Sequence, residues 1–196
     1  MITTGPRTKK LEKEIAEWIG VDKCVCLNSQ TACAEMALRV LGIGPGDEVI
    51  TSAYTYTASA SVIDHVGAKI VMVDCLPDSF DIDYDQVDAA ITEKTKAILL
   101  NSPTNPTGGV ADHEILEGIA RVAIRHDLFV IQDAVYKQLI YDEQDYENIA
   151  LLPGMRERTI YIDSFSKSHA MTGWRIGYIC GPADVIGVMP KLQENN

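Results

Sequence analysis

The chain has no basic run, no apolar stretch near the ~20 residues of a membrane span, no internal repeat, no low-complexity tract and no linker. Its charge leans the other way: 17 Lys and Arg against 28 Asp and Glu give a net charge of −11. An acidic surface repels phosphate backbones and anionic lipid, which disfavours nucleic-acid and membrane-surface roles. The opening residues, MITTGPRTKKLEKEIAEW, hold no apolar signal core and turn amphipathic at once, so the expected compartment is the cytoplasm. The five cysteines, at 24, 26, 33, 75 and 180, form no disulfide framework. Cys24 and Cys26 fall on one face of a predicted strand, and most of the five lie in or beside apolar runs, as reduced thiols packed in a core do. The four histidines (65, 113, 126, 169) lack metal-ligand spacing, and no metal site is expected.

What is present is the composition of one ordinary globular domain: 196 residues, 46% apolar and 23% charged. Short β-rich runs alternate with helical patterns. The predicted strands are 23–28, 48–53, 70–74, 97–101, 128–132, 160–164 and 175–180. Runs such as Ile-Val-Met-Val and Ala-Ile-Leu-Leu read as parallel strands covered on both faces. The predicted helices are 9–19, 31–41, 58–66, 84–91, 113–125 and 183–193. This alternation implies right-handed βαβ units in a doubly wound α/β sheet, whose ligands bind beyond the carboxyl ends of the strands. Only residues 165–174 separate the last two strands, whereas a parallel crossover takes about a dozen residues or more, so the spacing is compatible with an antiparallel seventh strand.

One segment carries chemistry: Ser164-Phe-Ser-Lys167-Ser-His-Ala-Met-Thr-Gly173-Trp-Arg175-Ile-Gly177. A lysine directly after a strand, among small hydroxyl residues, reads in two ways. It is an exposed loop residue, or it is an amine nucleophile partly desolvated in a cleft, its pKa lowered. Ser164 and Ser166 supply hydroxyls, and Arg175 supplies a planar fork suited to a phosphate. A second anion device is Ser29-Gln30-Thr31 at the start of an Ala-rich helix, where helix-start N–H groups and the dipole favour negative charge. The bland reading of Ser29 is an N-cap.

With Asn105-Pro-Thr-Gly108 and Asp133-Ala-Val-Tyr136 in the same order, residues 101–180 resemble the class I/II aminotransferases of pyridoxal-phosphate (PLP) fold type I. The first half resembles a different branch, the DegT-type nucleotide-sugar aminotransferases, in Leu11-Glu-Lys-Glu, in Gly42-Ile-Gly-Pro-Gly-Asp-Glu-Val-Ile-Thr, in Tyr56-Thr-Ala-Ser-Ala and in Ile82-Asp83. The two resemblances meet near residues 95–101, which leaves a natural or engineered chimera and a divergent single lineage both open. The resemblance implies the large domain of that fold, with seven strands, the last one antiparallel, and helices on both faces.

It also implies roles. Lys167 would hold PLP as a Schiff base and move a proton. Asp133 would pair with the ring nitrogen, and Tyr136 and Asn105 with the ring oxygen. Ser29, Gln30, Thr31, Ser164, Ser166 and Arg175 would hold the phosphate. Tyr56 in the sugar-type alignment, or Tyr54 in the class I alignment, would stack on the ring. Three positions depart from the pattern: Gln30 stands where the sugar type commonly has Gly, Ala134 where class I often has an acid, and His169 where a bulky aromatic is common. Family members carry a smaller second domain and build their sites across a dimer, so residues 1–196 are expected to be a single PLP-binding large domain, without the small domain, that pairs as a homodimer. Two hypotheses follow: transamination between an amino donor and a keto acid or keto sugar, or PLP binding without efficient turnover.

Overall fold

The computed structural model describes residues 5–141 and 144–194. Seven strands form one sheet: β1 (Cys24–Leu27), β2 (Glu48–Ser52), β3 (Lys69–Val73), β4 (Thr95–Asn101), β5 (Phe129–Asp133), β6 (Thr159–Ser164) and β7 (Gly177–Cys180). Their order is β1-β7-β6-β5-β4-β2-β3. The pairs β6–β5, β5–β4, β4–β2 and β2–β3 are parallel, and β7 runs antiparallel to both β1 and β6. The predicted reversal therefore holds. A one-turn helix and a 3-10 turn fill the short connection from β6 to β7 and turn the chain back.

The helices are α1 (Pro6–Ile19), α2 (Gln30–Val40), α3 (Ala58–His65), α4 (Tyr84–Ala90), α5 (His113–Arg125), α6 (Phe165–Ser168), α7 (Ala183–Ile186) and α8 (Met189–Glu194). Strand alternation divides the core between the two faces. Val49, Leu99, Ile131, Ile160 and Ile162 pack with Ala34, Leu38, Val62 and Ile63 of α2 and α3. On the opposite face, Ile50, Ile98, Leu100 and Val130 pack with Val87 of α4 and with Leu116, Ile119 and Ala123 of α5. Further along that face, α1 covers β1, β6 and β7 through Ile15, Ala16, Cys24, Cys26, Tyr161 and Tyr178. At the sheet's edge, Glu12 of α1 accepts the Cys26 N–H at 2.9 Å. None of the five cysteines forms a disulfide, and four of them are buried.

Three expectations need correction. The run 70–74 is not covered on both faces: β3 is an edge strand, and its Met72 is 56% exposed. The predicted helix 183–193 is broken into α7 and α8, with Gly187 at the break. The strand predicted from 175 begins at Gly177, because Arg175 sits in the left-handed region at φ 54°. No helix of the described residues is long and apolar enough to cross a membrane.

Candidate active site

The carboxyl ends of β1, β4, β5 and β6 open on a cavity of about 340 Å³. All the residues singled out from sequence line it: Ser29, Gln30, Thr31, Tyr56, Asn105, Asp133, Tyr136, Ser164, Ser166, Lys167 and Arg175. Of the two tyrosines left open, Tyr56 lines the cavity, whereas the Tyr54 ring packs on Phe80 at 5.4 Å between centroids. A larger groove of about 580 Å³ lies at the other end of the strands, by Lys96, His126 and Phe129. It gathers none of these groups.

The floor of the cavity is Asp133, the last residue of β5, paired in register with Asn101 of β4. Its Oδ1 accepts the Val135 N–H at 3.2 Å. Burial pushes its pKa up to about 7, against the pull of the Val135 N–H and with a further push from the charge of Asp163. A carboxyl this deeply desolvated lacks a cationic partner among the described residues. Tyr136 follows on the same loop, and its Oη accepts from Asn105 Nδ2 at 3.2 Å. Asn105 is held in turn by its N–H, which donates to Asn101 Oδ1 at 3.1 Å.

One wall comes from β6 and α6. Ser164 caps α6, its Oγ accepting the Ser166 N–H at 3.3 Å. Lys167 stands on this single turn, with Nζ 5.7 Å from the centroid of the Tyr136 ring. The expected partial desolvation of Lys167 is not met, because α6 stands at the rim and leaves the residue exposed. Facing it is the start of α2. Ser29 caps that helix, accepting the Ala32 N–H at 3.1 Å, and the first turn carries no acid. The other N–H groups of a first helical turn have no intrahelical acceptor.

Arg175 closes this end, with Nη1 donating to the Thr172 carbonyl at 2.9 Å. A left-handed backbone is uncommon for a residue with a side chain, and it tends to mark functional positions. Gly177 lets β7 approach closely: a Cβ there would come within 2.5 Å of the Ser29 carbonyl carbon and 2.7 Å of the Gln30 nitrogen. Val135, inside the quoted 133–136 segment, also lines the cavity, and the sequence reading missed Asn101 and Thr172 as lining residues. Asn101 was findable, since it ends a strand at the sheet's ligand-binding side.

Known proteins resemble this chain closely. A sequence profile described as "Aminotransferase class I and II" matches residues 2–196. An aspartate aminotransferase of Pyrococcus abyssi is 43% identical over 152 residues, covering 77% of this chain and 39% of that protein. A probable N-succinyldiaminopimelate aminotransferase of Mycobacterium tuberculosis is 38% identical over 192 residues, covering 93% of this chain and 48% of that one. The crystal structure of an aromatic aminotransferase from Pyrococcus horikoshii superposes with a TM-score of 0.87 at 34% identity, covering 96% of this chain and 52% of the other. The chain thus spans about two fifths to one half of the length of these relatives.

Proposed function

The chain belongs to the class I and II aminotransferases, which are PLP enzymes, and we propose that its cavity holds PLP for transamination between an amino donor and a keto acid or keto sugar. The observation that carries this reading is the convergence of Lys167, Asp133 and Arg175 with the α2 start on one cavity at the strands' carboxyl ends. When bound, the cofactor supplies an aldehyde that condenses with amines and a ring that accepts carbanion electrons.

The donor set fits that group. The Asp133 carboxyl, buried without a cation, suits a protonated ring nitrogen: ionised, it holds the proton there, and its proximity keeps that nitrogen cationic. Asn105 Nδ2 and Tyr136 Oη, already bonded to each other, present donors to a ring oxygen. Ser29, the α2 start, Ser164, Ser166 and Arg175 form a cup for a phosphate, with Gly177 keeping its wall thin. Gln30 and Thr31 contribute to the cup as first residues of α2. Tyr56 stands where its ring can cover a planar ligand. Lys167 Nζ is the amine for covalent attachment and, once released, the group that takes and returns a proton.

Three finer points belong to the same proposal. Residues 1–196 act as one PLP-binding domain, since a single sheet carries every proposed role. The profile's unbroken match across 95–101 favours a single lineage. Pairing of two copies would cover Tyr56 and Trp174, exposed to 59% and 70% near the cavity.

The test is direct. Protein mixed with PLP should develop a visible absorption band, and borohydride should fix the label on Lys167. Peptide mapping that finds label on other lysines alone would end the assignment. Sedimentation across a range of concentrations with PLP present should show a dimer, and monomer throughout would remove that part.

A further inference from the structure

Behind the cavity lies a polar cluster that the proposed roles do not use. Strand alternation turns Asp163 away from Ser164, onto the face that α1 covers. There Lys137 Nζ lies 2.7 Å from Asp163 Oδ2, with the two side chains only 15% and 3% exposed. Lys137 also donates to the Tyr161 hydroxyl and, at 3.4 Å, to Tyr178 Oη. Tyr178 Oη and Tyr161 Oη donate to Asp163 Oδ2 at 2.7 and 3.2 Å. The ring centroids of Trp18 and Tyr161 lie 5.3 and 4.8 Å from the ammonium.

A buried ion pair is a weak stabiliser, because desolvation offsets most of the attraction. Apolar residues could have filled this space, which is already rimmed by Ile15, Ala16 and Ala134. The pair's sequence neighbours supply a reason for it. Lys137 follows Tyr136, and Asp163 precedes Ser164. The second oxygen of Asp163, Oδ1, accepts the Ser164 N–H at 2.6 Å. One carboxylate therefore ties the Tyr136 loop to the turn that carries Ser164, Ser166 and Lys167.

The geometry points to Lys137 and Asp163 as a positioning pair for the cofactor site. They lock the Tyr136 loop against the Lys167 turn from behind. They also offset part of each other's charge: Asp163 still pushes the Asp133 carboxyl up, and Lys137 limits how much negative charge lies behind Asp133, the one acid among the described lining residues. This inference rests on the PLP reading above.

Other groups around the pair do not substitute for Lys137. Burial pushes the phenols of Tyr146, Tyr161 and Tyr178 upward and keeps them neutral. The thiols are neutral too: hydrogen bonding with Cys180 raises Cys24, hydrogen bonding with Cys24 raises Cys26, and burial raises Cys33. The remaining carboxyls are Asp133 of β5 and Glu12 of α1, both raised by burial. None is a cation.

The experiment is a pH titration of the visible band of bound PLP, with PLP affinity measured alongside, in wild type, Lys137→Met, Asp163→Asn, the double variant and Lys137→Arg. Removing Lys137 leaves Asp163 uncompensated and favours protons at the site, so the midpoint should rise by about one pH unit. Asp163→Asn should lower it by about as much. The double variant and Lys137→Arg should titrate as wild type does. Each charge-removing single variant should weaken PLP binding about tenfold as the loop and turn lose their tie.

Shifts in the same direction, or none, would overturn the pair's role, since a merely structural contact gives no opposed signs. If the single variants do not fold, the double variant and Lys137→Arg decide. A midpoint displaced by a full unit in both refutes the inference, and an unmoved one in both supports it. Wild type unlabelled at Lys167 by borohydride would overturn the PLP reading itself. Wild type labelled there with unresponsive variants would overturn the pair alone.

Discussion

Replacing Asp133 with Asn should stabilise the protein without cofactor and weaken its hold on the cofactor. Without a ligand, burial moves the Asp133 pKa from 3.8 to about 7. The folded carboxyl thus binds its proton more tightly than the unfolded one does. Below pH 3.8 both states are protonated and the site costs nothing. As pH rises toward 7 the unfolded chain ionises first, and stability is lost across that window. Above it the full penalty stands, roughly 4 kcal/mol at about 1.4 kcal/mol per pH unit. Asn carries no charge and can still accept the Val135 N–H. Urea denaturation at several pH values between 4 and 8 should show the variant gaining on wild type as pH rises, by up to about 4 kcal/mol at pH 8. With saturating PLP that advantage should shrink by about 1.5–3 kcal/mol, the contribution of a buried charge-assisted hydrogen bond that only the aspartate makes. Wild-type and variant stability curves that run parallel over this range, without cofactor, would refute the reasoning.

Lys167→Ala should abolish the visible band while equilibrium dialysis still detects PLP held by the phosphate cup; complete loss of binding would show that attachment through Nζ is the main source of affinity. Gly177→Ala places a Cβ against the Ser29 and Gln30 backbone, which cannot rotate away, so urea melts should show a loss of about 1–3 kcal/mol together with weaker PLP binding. Unchanged values would mean that β7 and α2 separate freely. Glu12→Ala removes the carboxylate that accepts the Cys26 N–H on the outer strand. It should cost about 1–3 kcal/mol and speed amide exchange at Cys26, and wild-type exchange there would refute this.

The sheet was legible because its inner strands are continuous apolar runs, which only a strand covered on both faces tolerates. The same rule misjudged Ile70–Val73, since hydrophobicity cannot tell an inner strand from an edge when Met72 points to solvent. The reversal of β7 was implied by the family resemblance, and the short 165–174 connection agreed with it. The cavity was legible because strand ends mark the ligand side of such sheets, and Ser29, Asp133 and Ser164 all stand there. The turn α6 was not legible: four residues show no periodicity, and Ser164 marks its start only once its Oγ is seen to accept the Ser166 N–H. The Lys137–Asp163 tie escaped for another reason. Its partners lie 26 positions apart on adjacent elements, and only the pairing of β5 with β6 brings them together.

A chain of net charge −11 must hold an anionic phosphate, and the helix starts suggest how. Its acids occupy the starts of α4, capped by Asp83 with Asp85 in the first turn, and of α5, capped by Asp112 with Glu114 behind it. There the chain's own carboxylates take the positive end of each helix dipole. The start of α2 is left free of acid: an uncharged Ser29 caps it, and Arg175 lines the same cavity. Charges beyond about 8 Å are largely screened at physiological salt, so this local arrangement outweighs the chain's total. Ser29→Asp separates the two functions of the residue. Asp caps a helix about as well as Ser does, so unfolding free energy should stay within about 0.5 kcal/mol of wild type. A carboxylate about 4 Å from a phosphate charge, at an effective dielectric constant near 20, is repelled by about 4 kcal/mol. PLP affinity should therefore fall by up to about a thousandfold with the fold intact. Wild-type affinity in a folded Ser29→Asp protein would place the phosphate elsewhere and leave α2 with a structural cap alone.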